Sequence, residues 1–390
     1  MNFCCCLTFA AVYLQSVGYS NTELGIVVAL GNVLGAVISP VMTSLVSSGK
    51  IRNLAATCFS LAIQLASYAA LIVLDEKCLA FSAAYVLLIA FCYPANSLDM
   101  DFYTECVNCG IHIDFGIARA IGSLAFVFVS VLIGPGVEHF SQRVIAFVGI
   151  FIIALQFAAH LYFSAAFRKK RAVSVSGTDK EGSASASESA EKPLTLFQFF
   201  ARYKLFLLLV IGIIIMLSGF RISTSYLVNI VRYAGGDLKY FSYMTSYGAI
   251  IEIPFMILCS RILRRVRASV ILNISFICYV IKLVLYALSS SIPVLILAIT
   301  FQGPSYALYS SAVVSYVADV MPPKDAPVAQ SLIFTCLTVS YVFASVVGGV
   351  LMDHFTVPIV MIICAVICIA GILIASPTVF ALEKKGRSIS

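Results

Sequence analysis

Tryptophan is absent from the 390 residues, and charged side chains make up only 11% of them. A soluble domain carries about a quarter of its residues as charges, so this chain cannot dress a water-facing surface of useful size. Without tryptophan it also lacks the best side chain for stacking a sugar ring. A basic soluble surface with interleaved aromatics is missing, which excludes nucleic acid as a partner. The start of the chain has neither a basic flank nor a small-residue cleavage site, which argues against a secretory signal. No nucleophile with an adjacent base and no cluster of metal ligands stands out, so the chain does not read as an enzyme and implies no cofactor.

What the chain has instead is apolar length. Hydrophobic residues are 61% of the sequence and the mean hydropathy is +1.02. Twelve apolar stretches fall at about 2–18, 23–47, 53–74, 79–101, 112–134, 142–166, 203–231, 238–260, 268–290, 292–320, 326–351 and 356–382. A helix needs about 20 apolar residues to cross the hydrocarbon, because only a helix satisfies its own backbone there. The expected fold is therefore an all-α polytopic membrane protein of twelve spans in two six-helix bundles. The bundles are expected at residues 1–167 and 198–390, joined through 168–197. Within that joint, residues 174–189 are a low-complexity run of Ser, Ala, Gly and charges that cannot bury a core. Residues 194–204 mix apolar and basic side chains and are expected along the membrane surface.

Basic residues set the orientation. With the N-terminus inside, inner segments receive Lys50 with Arg52, Arg168 through Arg171, the Arg261–Arg267 cluster and Lys384, Lys385 and Arg387. The outer loops hold only Lys77, Arg143, Arg232 and Lys239. That is the sign of the positive-inside rule, with both termini cytoplasmic. The net charge of +7 thus reports topology. The first span is short, beginning at Met1 with Asn-Phe-Cys-Cys-Cys. It leads to the expectation of a start further upstream, the alternative being a short helix drawn into the membrane.

Most of the thirteen cysteines lie within or at the ends of spans, where they behave as small hydrophobes. Cys106 and Cys109, followed by His112 and Asp114 in an inner loop, lack the second Cys/His pair that a zinc site needs, so no metal is expected. Gly25, Gly31 and Gly35 in span 2, and Gly348 with Gly349 in span 11, mark close helix approaches. Pro94, Pro254 and Pro304 lie inside spans, where proline frees a carbonyl and bends the helix.

Chemistry is expected from ionisable residues within spans, since a charge at the bilayer centre costs about 2.5–3.5 kcal/mol on insertion scales unless paired or wet. These are Arg119, Arg221 and Lys282 against Asp99, Asp101, Glu252 and Asp319. Glu252 lies deep in span 8, where it is placed to exchange a proton, with Lys282 on the next span as its opposing charge. Arg221 has a second reading as a side chain that snorkels to the surface. His160 has no evident partner in the sequence. Tyr226, Asn229, Tyr243, Tyr247, Gln302, Tyr306 and Tyr309 are candidates for a polar cavity, though tyrosines also anchor helix ends.

The run Asp114-Phe115-Gly116-Ile117-Ala118-Arg119-Ala120-Ile121-Gly122-Ser123-Leu124-Ala125-Phe126 resembles the fifth-helix signature of one branch of the major facilitator superfamily. That branch contains lactose permease, the nucleoside:proton symporters and phenylpropionate permease. The resemblance implies that Arg119 pairs with a fourth-helix carboxylate at Asp101, with Glu105 as a second acidic position, and that Phe126 is the stacking aromatic. Gly248 to Glu252 is similar to the Gly-x3-Glu of eighth helices in the phenylpropionate group, and Lys282 stands where that group carries an arginine. The loop after span 2, Ser44 to Lys50, lacks the acid of the superfamily motif. The tenth-helix His and Glu of lactose permease fall near Gln302 and Ser305, so its proton circuit does not carry over. The missing tryptophan weakens a galactoside reading in particular.

The resemblance implies a monomeric secondary transporter of the cell membrane that takes up a small polar organic solute with protons, by rocking two bundles about a central cavity. Substrate binding is expected at Asp101, Arg119, Phe126, Tyr247 and Gln302, and proton coupling at Glu252 and Lys282. The competing readings are an exporter of amphiphilic compounds and a non-transporting membrane sensor. The orientation is tested by a cysteine placed at Ser183 in a protein whose Cys78, at an outer helix end, has been replaced by serine. An impermeant maleimide should reach it only from the cytoplasmic side, and labelling of intact cells would reverse the topology.

Overall fold

In the computed structural model, residues 2–74, 76–108, 115–175, 199, 202–322 and 324–386 are described. They are helical throughout, with no β-strand among them. Helix α1 comprises a π-helical turn, Cys4–Thr8, followed by Ala10–Ser16. The N-terminal half continues with α2 (Asn21–Ser47), α3 (Asn53–Leu74), α4 (Leu79–Asn108), α5 (Phe115–His139) and α6 (Arg143–Val175). In the C-terminal half, α7 is made of Lys204–Ser225 and Leu227–Tyr233, followed by α8 (Leu238–Ile262) and α9 (Ala268–Ala287). Helix α10 is assembled from Ile292–Thr300, the π-helical turn Gly303–Ala307 and Leu308–Val320, and α11 (Ala326–His354) and α12 (Val357–Gly386) complete the chain.

Eleven of these, α2 through α12, are long and apolar enough to cross a bilayer. With α1 they make the twelve spans of a multi-pass membrane protein. Helix α2, at 27 residues, is about 40 Å long at 1.5 Å per residue, the full thickness of a bilayer with its headgroups. Large apolar side chains such as Val73, Phe151, Ile277 and Leu373 are more than half exposed on the outer faces. Water would penalise that belt, and lipid does not. Helix α1 is the opposite case: Phe9 through Leu14 are at most 3% exposed, so it is a core helix of its half.

The expected span ends differ from the observed helix ends where helices outrun the hydrophobic signal. Helix α4 continues past residue 101 to Asn108, and α6 continues past 166 to Val175. Their polar ends remain helical because nothing in the sequence breaks the backbone ladder there. The Cys109, His112 and Asp114 positions and the 176–198 stretch lie outside the described residues, while Cys106 is buried in α4. Of the segment expected to lie on the membrane surface, Phe199 is buried against Phe206, with ring centroids 5.8 Å apart. Tyr203 donates to Asp325 at 2.5 Å, tying the base of α7 to α11.

Each half begins its second helix in the same way. Gly18 (φ 93°) turns the chain after α1, two residues before Ser20 caps α2, and Gly235 (φ 82°) turns it after α7, two residues before Asp237 caps α8. Positive φ is costly for any residue with a Cβ, so both turns require glycine. In the N-terminal half α4 packs on α2 and α3; in the C-terminal half α12 packs on α7 and α9. The halves meet where α2 lies along α11 and α5 lies along α8.

At one end this meeting is a tight seam. A Cβ on Gly25 would stand 2.0 Å from the Ser345 carbonyl oxygen, one on Gly349 2.3 Å from that of Asn21, and one on Gly134 2.1 Å from the Ser242 hydroxyl. Asp353 at the end of α11 accepts hydrogen bonds from Asn21 N (3.1 Å), Asn21 Nδ2 (2.9 Å), Thr22 N (2.8 Å) and Thr22 Oγ1 (2.6 Å). It thereby satisfies the first backbone donors of α2 from across the seam. Gln15 bonds Asn229 at 2.8 Å and accepts from Arg232 at 2.8 Å, while Glu138 accepts from Lys239 N at 2.9 Å. The other small residues act within one half: Gly31 and Gly35 admit α4, and Gly348 admits Tyr226 and Ile222 of α7. Toward the opposite end Val41, Ile257 and Phe334 are more than half exposed.

Hydrogen bonds to a charged group contribute about 1.5–3 kcal/mol each, so Asp353→Ala should weaken the seam measurably. A cysteine at Thr224, introduced without Cys78, should then react at least about tenfold faster with impermeant maleimide added from the seam side, the equivalent of ~1.4 kcal/mol. An unchanged rate would show that Asp353 does not hold this end shut.

Candidate functional site

Between the halves, below the seam, lies a cavity of about 700 Å³ lined by α1, α5, α7, α8, α9 and α10. Phe3, Gly122, Ser123 and Phe126 form its N-terminal wall. The C-terminal wall carries Phe220, Arg221, Glu252, Lys282, Tyr286, Gln302 and Tyr306, with apolar side chains such as Met244 and Ile253 between them. Its size matches that of a small-molecule site, and its composition is the usual one of apolar lining with a few polar groups.

One chain of contacts organises the polar wall. Lys282 donates to the Gln302 side-chain oxygen, and the Gln302 amide donates to Glu252 Oε1 at 2.7 Å. Three helices are thus joined through one amide, with α10 bridging α9 and α8. The bridge depends on how closely α10 approaches α8: a Cβ on Gly303 would stand 2.3 Å from the Phe255 ring. Pro304 begins the second residue of the π-helical turn and has no N–H to return to the preceding turn. Pro94 and Pro254 lie inside continuous α4 and α8, so of the three expected prolines only Pro304 coincides with a change of helix type.

Lys282 is 3% exposed. Its ammonium lies 4.9 Å from the Phe220 ring centre and 5.3 Å from that of Tyr286. Arg221 sits among three rings, 5.8 Å from Phe220, 5.6 Å from Tyr306 and 5.4 Å from Tyr341. Each such contact is worth about 0.5–2 kcal/mol, rising as water is removed. The snorkelling reading of Arg221 is corrected here: the side chain faces the cavity, and its Nε is buried with no hydrogen-bond partner.

The structure brings Phe126, Glu252, Lys282 and Gln302 to this one cavity. Tyr247 is off the lining and shares a hydrogen bond with Thr300 at 3.0 Å. Asp101 is half-buried near the end of α4, also off the lining. Arg119 is in α5, one turn before Gly122, but its side chain and that of Glu105 lie outside the described residues. Tyr306 lines the cavity, whereas Tyr226 and Asn229 belong to the seam and Tyr309 is buried in the C-terminal half. His160 has a partner the sequence did not reveal, Asp99 on α4, at 2.7 Å, with Gln156 donating to the same carboxylate at 2.9 Å. Arg221 counts among the in-span charges of the sequence but had no role assigned to it at the site, and Phe220, Thr224 and Tyr286 are lining residues that sequence reasoning did not select. The signal for Arg221 was its position inside a span; Tyr286, four residues after Lys282, carried only the helical repeat.

A family model described as the MFS_1 like family matches residues 2–355. The chain belongs to that family and is a membrane transporter with the major facilitator fold. No curated protein matches it in sequence. Among solved structures it is similar to the nucleoside transporter NupG, with a TM-score of 0.72 and 14% identity over 98% of this chain and 96% of that one. It is similar to the peptide transporter POT with a TM-score of 0.65 and 12% identity, covering 98% and 92%. A bacterial homolog to the human lysosomal transporter Spinster, inward-facing and unoccupied, gives a TM-score of 0.59 and 11% identity over 99% and 92%. These likenesses establish the fold.

If Lys282 and Glu252 offset each other, removing one should cost more than removing both. Lys282→Met should lower the thermal midpoint in detergent by several degrees, and adding Glu252→Gln should recover most of that loss. Equal midpoints for the wild type and Lys282→Met would end the partnership.

Proposed function

We propose that the protein takes up a small polar organic solute together with protons across the cell membrane, by alternating access of the central cavity. The observation that carries this reading is the Lys282–Gln302–Glu252 chain on the cavity wall. It joins a carboxylate able to take up a proton to residues a solute would touch, so one event alters the other. As a carboxylate, Glu252 accepts from the Gln302 amide and balances Lys282. Once protonated it no longer balances Lys282, and the wall is free to rearrange around a bound solute.

The charge bias of the loops supports cytoplasmic termini. The seam then faces outward and the cavity is accessible from the cytoplasm. Inward release of solute and proton, followed by opening of the seam, completes the cycle. Phe126 and Gln302 are assigned direct solute contacts, and Tyr247 a supporting position through Thr300. Asp101 and Arg119 are assigned to the N-terminal half's share of the binding site.

Glu252→Gln, which mimics the protonated acid, should lose uphill accumulation driven by a proton gradient by at least about tenfold. Counterflow exchange in proteoliposomes should persist. A mutant that still concentrates solute when only a proton gradient is supplied would remove Glu252 from the coupling role.

A further inference from the structure

We infer that Gly122 and Gly248 set the width of the cavity, and with it the size of solute admitted, each keeping clear a volume that a side chain would otherwise fill. This rests on the proposed transport role of the cavity and names two residues that determine its specificity. Both glycines stand on the lining, Gly122 on α5 and Gly248 on α8.

Packing accounts for the other glycines. Among the glycines inside helices whose surroundings are described, every one but these two would press a Cβ to within 3.0 Å of a neighbouring atom. At Gly122 a Cβ would meet nothing within 4 Å among the described residues. At Gly248 it would rest at ordinary contact distance on Ile299 (3.6 Å) and on the stem of Gln302 (3.8 Å). Neither residue has a positive φ, so the backbone accepts a side chain at both positions. Glycine in a helix interior lowers stability relative to alanine, because it loses more conformational freedom on folding. With neither packing nor backbone geometry requiring glycine, what the two positions provide is the empty volume itself.

The register of α5 against α8 places the two clearings side by side. Ser246 Oγ donates to the Val127 carbonyl at 3.3 Å. From that bond towards the end opposite the seam, Gly122 lies about 7.5 Å along α5 and Gly248 about 3 Å along α8, at 1.5 Å per residue. The helices touch at Ser246 and part beyond it, with the two bare backbones within about one turn of each other in height. Gly122 shares a face with Phe126, one turn away, and Gly248 shares one with Glu252. A solute that touches Phe126 and the Gln302–Glu252 pair therefore lies across this clearing.

The first measurement needs no solute. Gly122→Ala and Gly248→Ala should each raise the thermal midpoint of the purified full-length protein by about 1 °C or more, whereas Gly303→Ala, which drives a Cβ into the Phe255 ring, should lower it. A loss at position 122 or 248 as large as that at 303 would return the glycine to packing and overturn its assignment. The second measurement reads the clearance. With Cys78 replaced by serine, Gly122→Cys should react with both methanethiosulfonate ethylammonium and the bulkier fluorescein maleimide. Adding Gly248→Leu should slow the bulky reagent at least about tenfold relative to the small one; if that variant does not fold, Gly248→Ala should give a smaller shift of the same sign. An unchanged ratio of rates overturns the inference. The third measurement ties the clearance to transport. In proteoliposomes, counterflow of the larger member of a pair, uridine against uracil or lactose against galactose, should fall at least about tenfold relative to the smaller in either alanine variant. An unchanged ratio for a pair that the wild type carries overturns the specificity role. If the wild type carries none of the four, uptake of such solutes is what fails, and the labelling ratio alone decides the clearance.

Discussion

A charge inside the hydrocarbon must be solvated by the protein, and on the described cavity lining that requirement falls on Arg221, Glu252 and Lys282. They come from α7, α8 and α9, and α10 supplies the amide that links two of them. Much of the C-terminal half can be understood as the scaffolding for this arrangement. Gly303 removes a side chain so that α10 can reach α8, the π-helical turn takes up the irregularity, and Phe220 serves both cations at once. A hydrophobic helix bundle needs none of these features for stability alone.

The described N-terminal wall is plainer. Phe3, Gly122, Ser123 and Phe126 offer shape and stacking surface, while His160 and Asp99, paired within the spans of that half, stand on α6 and α4 away from the cavity lining. The two halves share an architecture but divide their labour. Among the described lining residues, the charges stand on the C-terminal wall and the small and aromatic side chains on the N-terminal wall. The seam follows a third logic, in which backbone carbonyls and glycines replace large side chains.

The spans were legible because apolar length is a direct consequence of bilayer thickness, and the twelve hydrophobic runs needed no other information. Glu252, Lys282 and Gln302 could be singled out because a polar group in a span is rare and costly. Their connection could not. Their places on neighbouring spans do not say whether the side chains meet, and it is the lateral reach of Gln302 from a third helix that joins them. Arg221 was ambiguous because a long side chain near a helix end can reach either water or cavity, a choice made by its aromatic neighbours on α7, α10 and α11. Asp353 gave no sequence signal, since an acid at a helix end is ordinary until another helix start is brought against it. The π-helical break in α10 was visible only as Pro304, which looks the same as Pro94 and Pro254, both of which stay within regular helix.

The start of α2 is capped twice. Ser20 and Glu23 satisfy each other's backbone donors within the chain, at 3.2 and 2.9 Å, and Asp353 satisfies the two donors between them from across the seam. Parting the seam removes only the second set. The internal box keeps the first turn of α2 wound while water replaces the carboxylate of α11. Helix α2 can therefore leave its partner as a rigid rod and return to it without refolding, so the cost of each opening is a handful of exchanged hydrogen bonds and no melted turn.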